Sequence, residues 1–148
     1  MPSTHASLHY HLVFSTKERF PSITPEVRER VHAYLGGVIR GLGGVGLEVG
    51  GIADHVHLLV GLKPTHCVSD VMRNLKADSS RWMHDELRMS KFEWQEGYGA
   101  FTVSASNVPA VREYVRNQER HHEKRSFQDE YREFLAKHEI EFDERYLW

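Results

Sequence analysis

Residues 51–61, GIADHVHLLVG, read as a buried strand: a short run rich in β-branched residues and bounded by glycines. Side chains alternate across a strand, so Ile52, Val56, Leu58 and Val60 share one face while His55 and His57 share the other. The first face suits an apolar core, with Asp54 as the exception. The second sets two imidazoles side by side, at the spacing needed to hold one ion between them.

Working outward, residues 45–48 pair with the histidine strand as an antiparallel neighbour, with the turn expected near Gly50-Gly51. Further upstream, Thr24-Pro25-Glu26 is a helix start, a capping hydroxyl followed by proline in the first turn. Val27, Val31, Tyr34, Leu35, Val38 and Leu42 then recur at helical spacing up to Gly41, Gly43 and Gly44. Gly36-Gly37 inside that helix costs about 1 kcal/mol per glycine relative to alanine, so a close approach to the sheet is expected there. Residues 8–15, LHYHLVFS, alternate as a first strand, with Tyr10, Leu12 and Phe14 toward the core and His9 and His11 on the open face.

Downstream, Val68, Val71, Met72, Leu75, Trp82 and Met83 line one side of a second helix over residues 68–87. Residues 92–104, FEWQEGYGAFTVS, read as a fourth strand in which Gly97 and Gly99 mark a bulge or a close approach. Ser106-Asn107-Val108-Pro109 starts a third helix, expected to run to His122. Phe127, Tyr131, Phe134 and Leu135 follow at helical spacing, and the aromatic tail EIEFDERYLW is expected to dock. The order strand, helix, strand, strand, helix, strand is an α+β, ferredoxin-like (split βαβ) arrangement. It packs two helices on one face of an antiparallel sheet and leaves the other face for function. We see no repeat or linker, so residues 1–148 read as one domain.

At 148 residues and 17.2 kDa the chain is long enough to bury a core without disulfides. No apolar run reaches the length of a membrane span, and the N-terminus lacks a signal-peptide layout, so a cytoplasmic location is expected. The single cysteine, Cys67, is expected to be a small buried or half-buried filler. A formal charge of −2 and a pI of about 6.6 disfavour sequence-independent binding to duplex nucleic acid, which runs on excess lysine and arginine. Net charge does not report clustering, and 11 histidines add positive charge near neutrality.

Two histidines rarely finish a metal site. In the third helix, Tyr114 and Gln118 are four apart and share a face. If that face lies over the histidine strand, Gln118 supplies a third ligand through its carbonyl oxygen and Tyr114 sits close to the ion. A tyrosine beside a divalent cation is a plausible nucleophile toward phosphate, since the cation polarises the phosphoryl oxygens. The bland readings are that the His-x-His strand is structural, that Tyr114 and Gln118 share a face by chance, and that His121 and His122 are surface residues or a rival ligand pair.

Taken together and in order, HYHLVFSTKERFPSI, GGIADHVHLLVGLKP, LKADSSRWMHDEL, WQEGYGAFTVSAS and YVRNQERHH resemble the HUH (histidine–hydrophobic–histidine) single-tyrosine transposases of the smallest bacterial insertion sequences. The resemblance covers nearly the whole chain. It implies that His55, His57 and Gln118 bind magnesium or manganese and that Tyr114 forms a 5′-phosphotyrosine, freeing a 3′-hydroxyl. It further implies single-stranded DNA with hairpins as substrate, and a homodimer in which the tyrosine helix can serve the partner's site. REP-associated tyrosine transposases, which act on extragenic palindromes, form a close subgroup; their longer, more basic C-terminal region differs from the acidic, aromatic tail here. For a DNA binder of this charge, the resemblance implies a local basic strip drawn from Lys17, Arg19, Arg73, Lys76, Arg112 and Arg116, with bases stacking on exposed aromatics.

Two other classes compete. A four-stranded sheet with an open face also builds RNA-binding modules, but those want aromatics where this chain has histidines. A water-using phosphodiesterase of the paired-histidine type needs two His-x-Thr/Ser motifs, which the sequence lacks.

Overall fold

The computed structural model describes residues 3–148. Four strands, β1 (His9–Ser15), β2 (Val45–Ile52), β3 (His55–Gly61) and β4 (Gly99–Val103), form one antiparallel sheet in the order β2-β3-β1-β4. Helices α1 (Pro25–Gly41) and α2 (Val68–Asp85) cover one face. Between them and the sheet lies the main core, with Leu12, Phe14, Val31, Leu35, Ile39, Val56, Leu58, Val60, Leu75 and Met83. Each fully buried leucine or isoleucine there contributes about 1.5–3 kcal/mol. The other face carries α3 (Val108–Arg116), α4 (Gln118–His122) and α5 (Phe127–Lys137). Val115 packs on Leu59 and Val103, while Phe127, Tyr131 and Leu135 pack on Val13 and Phe101. This is the ferredoxin-like α+β fold expected, with two helices on one side and the tyrosine-bearing helix on the other.

Several boundaries differ from the expectations. The β2–β3 turn falls at Ala53-Asp54, and β2 runs on through Gly50 and Gly51. Those glycines serve the strand itself. A Cβ on Gly50 would lie 1.9 Å from the Val115 carbonyl oxygen, so α3 can sit on the sheet there only over a residue without one. Gly51 has φ +144°, and a Cβ would meet the His55 carbonyl oxygen at 2.3 Å. Within α1, Gly36 does approach the sheet closely, against Gly46 and Val49, whereas Gly37 meets only the end of Arg40.

The expected strand over 92–104 is β4 alone, preceded by a loop in which Trp94 makes a single bridge to Thr16. That loop is held by Lys76, which donates to the carbonyls of Gln95, Glu96 and Gly97, and by Trp94 Nε1 donating to Ser79 Oγ at 2.9 Å. Gly99 marks a close approach as expected, although to a side chain: its Cβ would meet the Tyr131 ring and hydroxyl. Helix α2 ends at Asp85, and Cys67 is exposed at its start rather than buried. The third helix breaks at Asn117, whose φ of −98° and ψ of 26° divide α3 from α4. Trp148 docks on Phe127 and Tyr131, flanked by the guanidinium groups of Arg19 and Arg132, while residues 136–146 are exposed.

Candidate active site

The sheet register places the histidines. Gly50 pairs with His57, and His57 pairs with Val13, so the seat of α3 at Gly50 is one strand away from the His57 ring. Val115, fully buried, fixes the helix in that seat, and its neighbour Tyr114 turns over the histidines: the Tyr114 and His57 ring centres are 5.8 Å apart. One turn on, Gln118 is 1% exposed and its Oε1 lies 3.1 Å from His55 Nε2. Its amide nitrogen donates back to the Tyr114 carbonyl, which directs the oxygen toward the histidines even though the helix is broken between them. The structure therefore brings His55, His57, Tyr114 and Gln118 together.

Both strand histidines are fully buried, and each is oriented through its Nδ1. The Asp54 carboxylate accepts from His55 Nδ1 at 2.7 Å, leaving Nε2 to face the site. His57 Nδ1 meets His11 Nε2 at 2.7 Å. His11 lies on the face expected for it, but it is 3% exposed rather than open, and it supports the site. Burial, then the nearby His57, hold His11 well below the ordinary histidine value, so it stays neutral. Burial also lowers His57 to about 4, opposed by Glu130.

Two further residues enter from the C-terminal side. Glu130 of α5 accepts from His57 Nε2 at 2.8 Å, and its second oxygen accepts from the Tyr114 hydroxyl. His122 of α4 reaches Gln118 Oε1 at 3.0 Å and Glu130 Oε2 at 3.3 Å through Nε2, and its Nδ1 meets the Arg125 carbonyl at 2.6 Å. Its side chain is 4% exposed, so it is not the surface residue expected. With acceptors at both nitrogens, His122 is raised against the pull of burial. Glu130 is lowered although burial alone would raise it, because His122 and His57 donate to it. Tyr114 is raised, by burial first and then by the Glu130 charge. Phe127 stacks on His55 at 4.3 Å, and Phe134 stands edge-on to Tyr114, so α5 closes the site. A cleft of about 290 Å³ opens beside Tyr114, lined by His11, Val111, Glu130, Phe134 and Lys137.

The residues fit a metal ion. One ring nitrogen from each of His55, His57 and His122 and a Glu130 oxygen lie within 4.8 Å of one another. Gln118 presents a lone-pair oxygen to two of those nitrogens, so acceptors outnumber protons at the centre, an arrangement that a cation relieves.

The family model described as "Transposase IS200 like" matches residues 4–118 of this chain. The chain belongs to that family. The transposase is 30% identical over 115 residues to the transposase for insertion sequence element IS200 of Salmonella typhimurium, covering 74% of this chain and 75% of the relative. It is 29% identical over 119 residues to the ISDra2 transposase TnpA of Deinococcus radiodurans, covering 75% and 84%. A solved transposase structure from Deinococcus radiodurans superposes with a TM-score of 0.63 at 27% identity, over 80% of this chain and 95% of that one. A REP-associated tyrosine transposase solved bound to a REP hairpin shares the fold, with a TM-score of 0.56 at 11% identity over 78% and 70%.

The basic residues are not gathered into one strip. Arg73 and Lys76 stand on α2, across the sheet from Tyr114. Lys17 and Arg19 lie after β1, Lys17 paired with Glu93 and Arg19 over Trp148. Arg112 and Arg116 are on α3, bonded to the Leu47 carbonyl and to Glu48. The roles of His11, Asp54 and Glu130 escaped sequence reasoning, and His122, weighed there as a surface residue or half of a rival ligand pair with His121, lies in the site while His121 is exposed. For Asp54 the signal was present, an acid directly before the first histidine. For Glu130, on a separate helix beyond the matched residues, no local spacing points to it.

Proposed function

We propose that this transposase cleaves and rejoins single-stranded DNA through a covalent 5′-phosphotyrosine, with Tyr114 as nucleophile and His55, His57 and Gln118 holding a divalent cation, magnesium or manganese. The observation that carries the reading is convergence. The Tyr114 hydroxyl, two oriented imidazoles and the Gln118 oxygen meet on the histidine face of the sheet, in the order the resemblance implies. The Tyr114 hydroxyl loses its proton to solvent as its oxygen attacks phosphorus, the bond to the 3′-oxygen breaks, and that oxygen takes a proton from solvent to leave as a hydroxyl. A bound divalent cation supplies charge neutralisation at the phosphoryl oxygens. Asp54 and His11 hold the two histidine rings, Val115 on Gly50 holds the tyrosine, and Glu130 orients the Tyr114 hydroxyl by accepting its hydrogen bond. Single-stranded hairpin DNA is the proposed substrate, a choice supported by the family and by the hairpin-bound fold neighbour. The homodimer belongs to this reading as well. Because Tyr114 rests over its own chain's histidines, an exchange of tyrosine helices would have to lift α3 off Gly50.

The test is denaturing electrophoresis of the protein with labelled single-stranded hairpin DNA and manganese, beside Tyr114→Phe. A covalent protein–oligonucleotide band that the variant lacks is the expected result. An adduct of equal yield in the variant would remove Tyr114 as nucleophile.

A further inference from the structure

We propose that the segment beyond Gln118 completes the metal centre: His122 of α4 and Glu130 of α5 join His55 and His57 as ligands, forming a site of three imidazoles and one carboxylate that takes a first-row transition-metal ion in preference to magnesium and fastens α5 over the site when filled. The inference rests on His55 and His57 being metal ligands, as proposed above. It adds two residues that lie outside the part of the chain the family model matches.

Three observations carry it. The first is geometry. Tetrahedral sites with bonds of about 2.0–2.1 Å set their ligand atoms roughly 3.3 Å apart. Here Glu130 oxygens lie 2.8, 3.3 and 3.8 Å from the Nε2 atoms of His57, His122 and His55. The second is charge. A dication among fully buried imidazoles needs an anion, and Glu130, 2% exposed, is the one buried carboxylate among the described residues. The third is donor chemistry. Magnesium favours oxygen ligands and keeps several waters, whereas imidazole suits zinc, copper, iron and nickel, and a nitrogen-rich site binds cobalt more tightly than manganese. Counting only His55, His57 and Gln118, the site is two nitrogens and a neutral oxygen. With His122 and Glu130 it becomes nitrogen-rich and anionic, while Gln118 Oε1 stays in reach of His55 and His122.

The links to α5 follow from the ligand set. Phe127 stacks on His55, and residues 123–126 are the whole connection between α4 and α5. An ion bound by strand, α4 and α5 together therefore opposes opening of that connection.

The experiment uses the full chain, freed of metal, without DNA. Isothermal titration with cobalt, manganese and magnesium chlorides is run on the wild type, Glu130→Gln, His122→Ala and His55→Ala. Cobalt is expected to bind 1:1 and at least 100-fold tighter than magnesium. Glu130→Gln and His122→Ala should each weaken cobalt binding tenfold or more, with loss of the intense visible bands of a low-coordinate cobalt site. Wild-type cobalt affinity in both variants, with loss only in His55→Ala, would overturn the proposal and leave the transposase reading standing. Equal affinity of the wild type for cobalt and magnesium would also overturn it. A measurement that needs no variant is trypsin cleavage at Lys124 and Arg125 in the wild type. Cobalt should slow it at least tenfold; an unchanged rate would refute the fastening of α5. The DNA-adduct assay above reports separately on Tyr114.

Discussion

Replacing Gly50 by alanine tests how the sheet positions Tyr114, the proposed nucleophile. The new Cβ would lie 1.9 Å from the Val115 carbonyl oxygen and 2.9 Å from its carbon, where ordinary contact begins at 3.4 Å. Helix α3 must therefore retreat by about 1.5 Å or leave the sheet. Forcing a methyl into a packed interface costs about 1–3 kcal/mol. Lifting the helix off instead forfeits burial of Val115, fully buried now, at about 1.5–3 kcal/mol. The chain takes the cheaper route, so Gly50→Ala should lose about 1–3 kcal/mol in urea unfolding. Both routes displace Tyr114, the residue before Val115, relative to His57, the strand partner of Gly50. A misplacement near 1 Å costs about 100-fold in rate, so covalent adduct formation should fall about that much under conditions where the variant stays folded. Gly46→Ala is the control: its Cβ would meet Gly36 Cα at 3.5 Å, an ordinary contact, and both readouts should stay near wild type. If Gly50→Ala unfolds within about 0.5 kcal/mol of wild type and forms adduct at an undiminished rate, α3 does not rest on β2 in the working protein, and the positioning argument is wrong.

Three further outcomes follow from the same structure. Asp54→Ala removes the acceptor for His55 Nδ1 and should weaken manganese binding about 10–100-fold by calorimetry while leaving the circular dichroism spectrum intact; unchanged affinity would show that His55 is oriented by packing alone. Leu58→Ala opens a cavity on the opposite face and should cost about 3–5 kcal/mol in urea unfolding, with metal affinity in the surviving folded protein within about twofold of wild type. His32 is lowered from 6.5 to about 4 by burial, then by Arg28 and His55. Between those values the unfolded chain binds a proton that the folded chain refuses, so stability should fall by roughly 2 kcal/mol as pH drops from 6.5 to 4, after discounting for the ring's partial exposure. His32→Gln should lose that part of the slope in melting temperature against pH, and a slope equal to wild type would show that His32 is not its source.

The fold was legible because alternation and helical spacing depend on each residue's immediate neighbours. The faces of β1 and β3, the apolar stripes of α1 and α2 and the element order all follow from them. What the sequence misplaced depends on contacts between distant segments. Gly50-Gly51 has the composition of a turn, yet the turn is Ala53-Asp54, because α3 needs a bare backbone at Gly50. His11 looked like an idle surface residue, because the strand pattern gives a face but not what covers it; α5 covers it. The third helix looked continuous to His122, and the break at Asn117 is what turns His122 inward toward Gln118 and Glu130.

The mild negative charge of the chain fits this arrangement better than a count of lysines and arginines suggests. Of the basic residues named as candidates for DNA, Lys17, Arg73 and Arg116 are each engaged with an acidic side chain on the surface. Exposed pairs of this kind contribute little, because solvent screens them and holding two long side chains together costs entropy. A phosphate can therefore replace the carboxylate partner at small cost, and the cation then serves binding without having been idle before it. Lys76 is different. It is half-buried and donates to three carbonyls that shape the loop before β4, so surrendering it to DNA would loosen the fold. The cations free to trade partners thus stand apart: Arg116 on α3 beside the site, Arg73 on α2 across the sheet from it, and Lys17 in the turn after β1. A strand following only the first of these reaches Tyr114 with few phosphate contacts. For the single-stranded hairpin substrate proposed above, few contacts predict a shallow dependence of binding on salt, with shape and base stacking supplying most of the affinity.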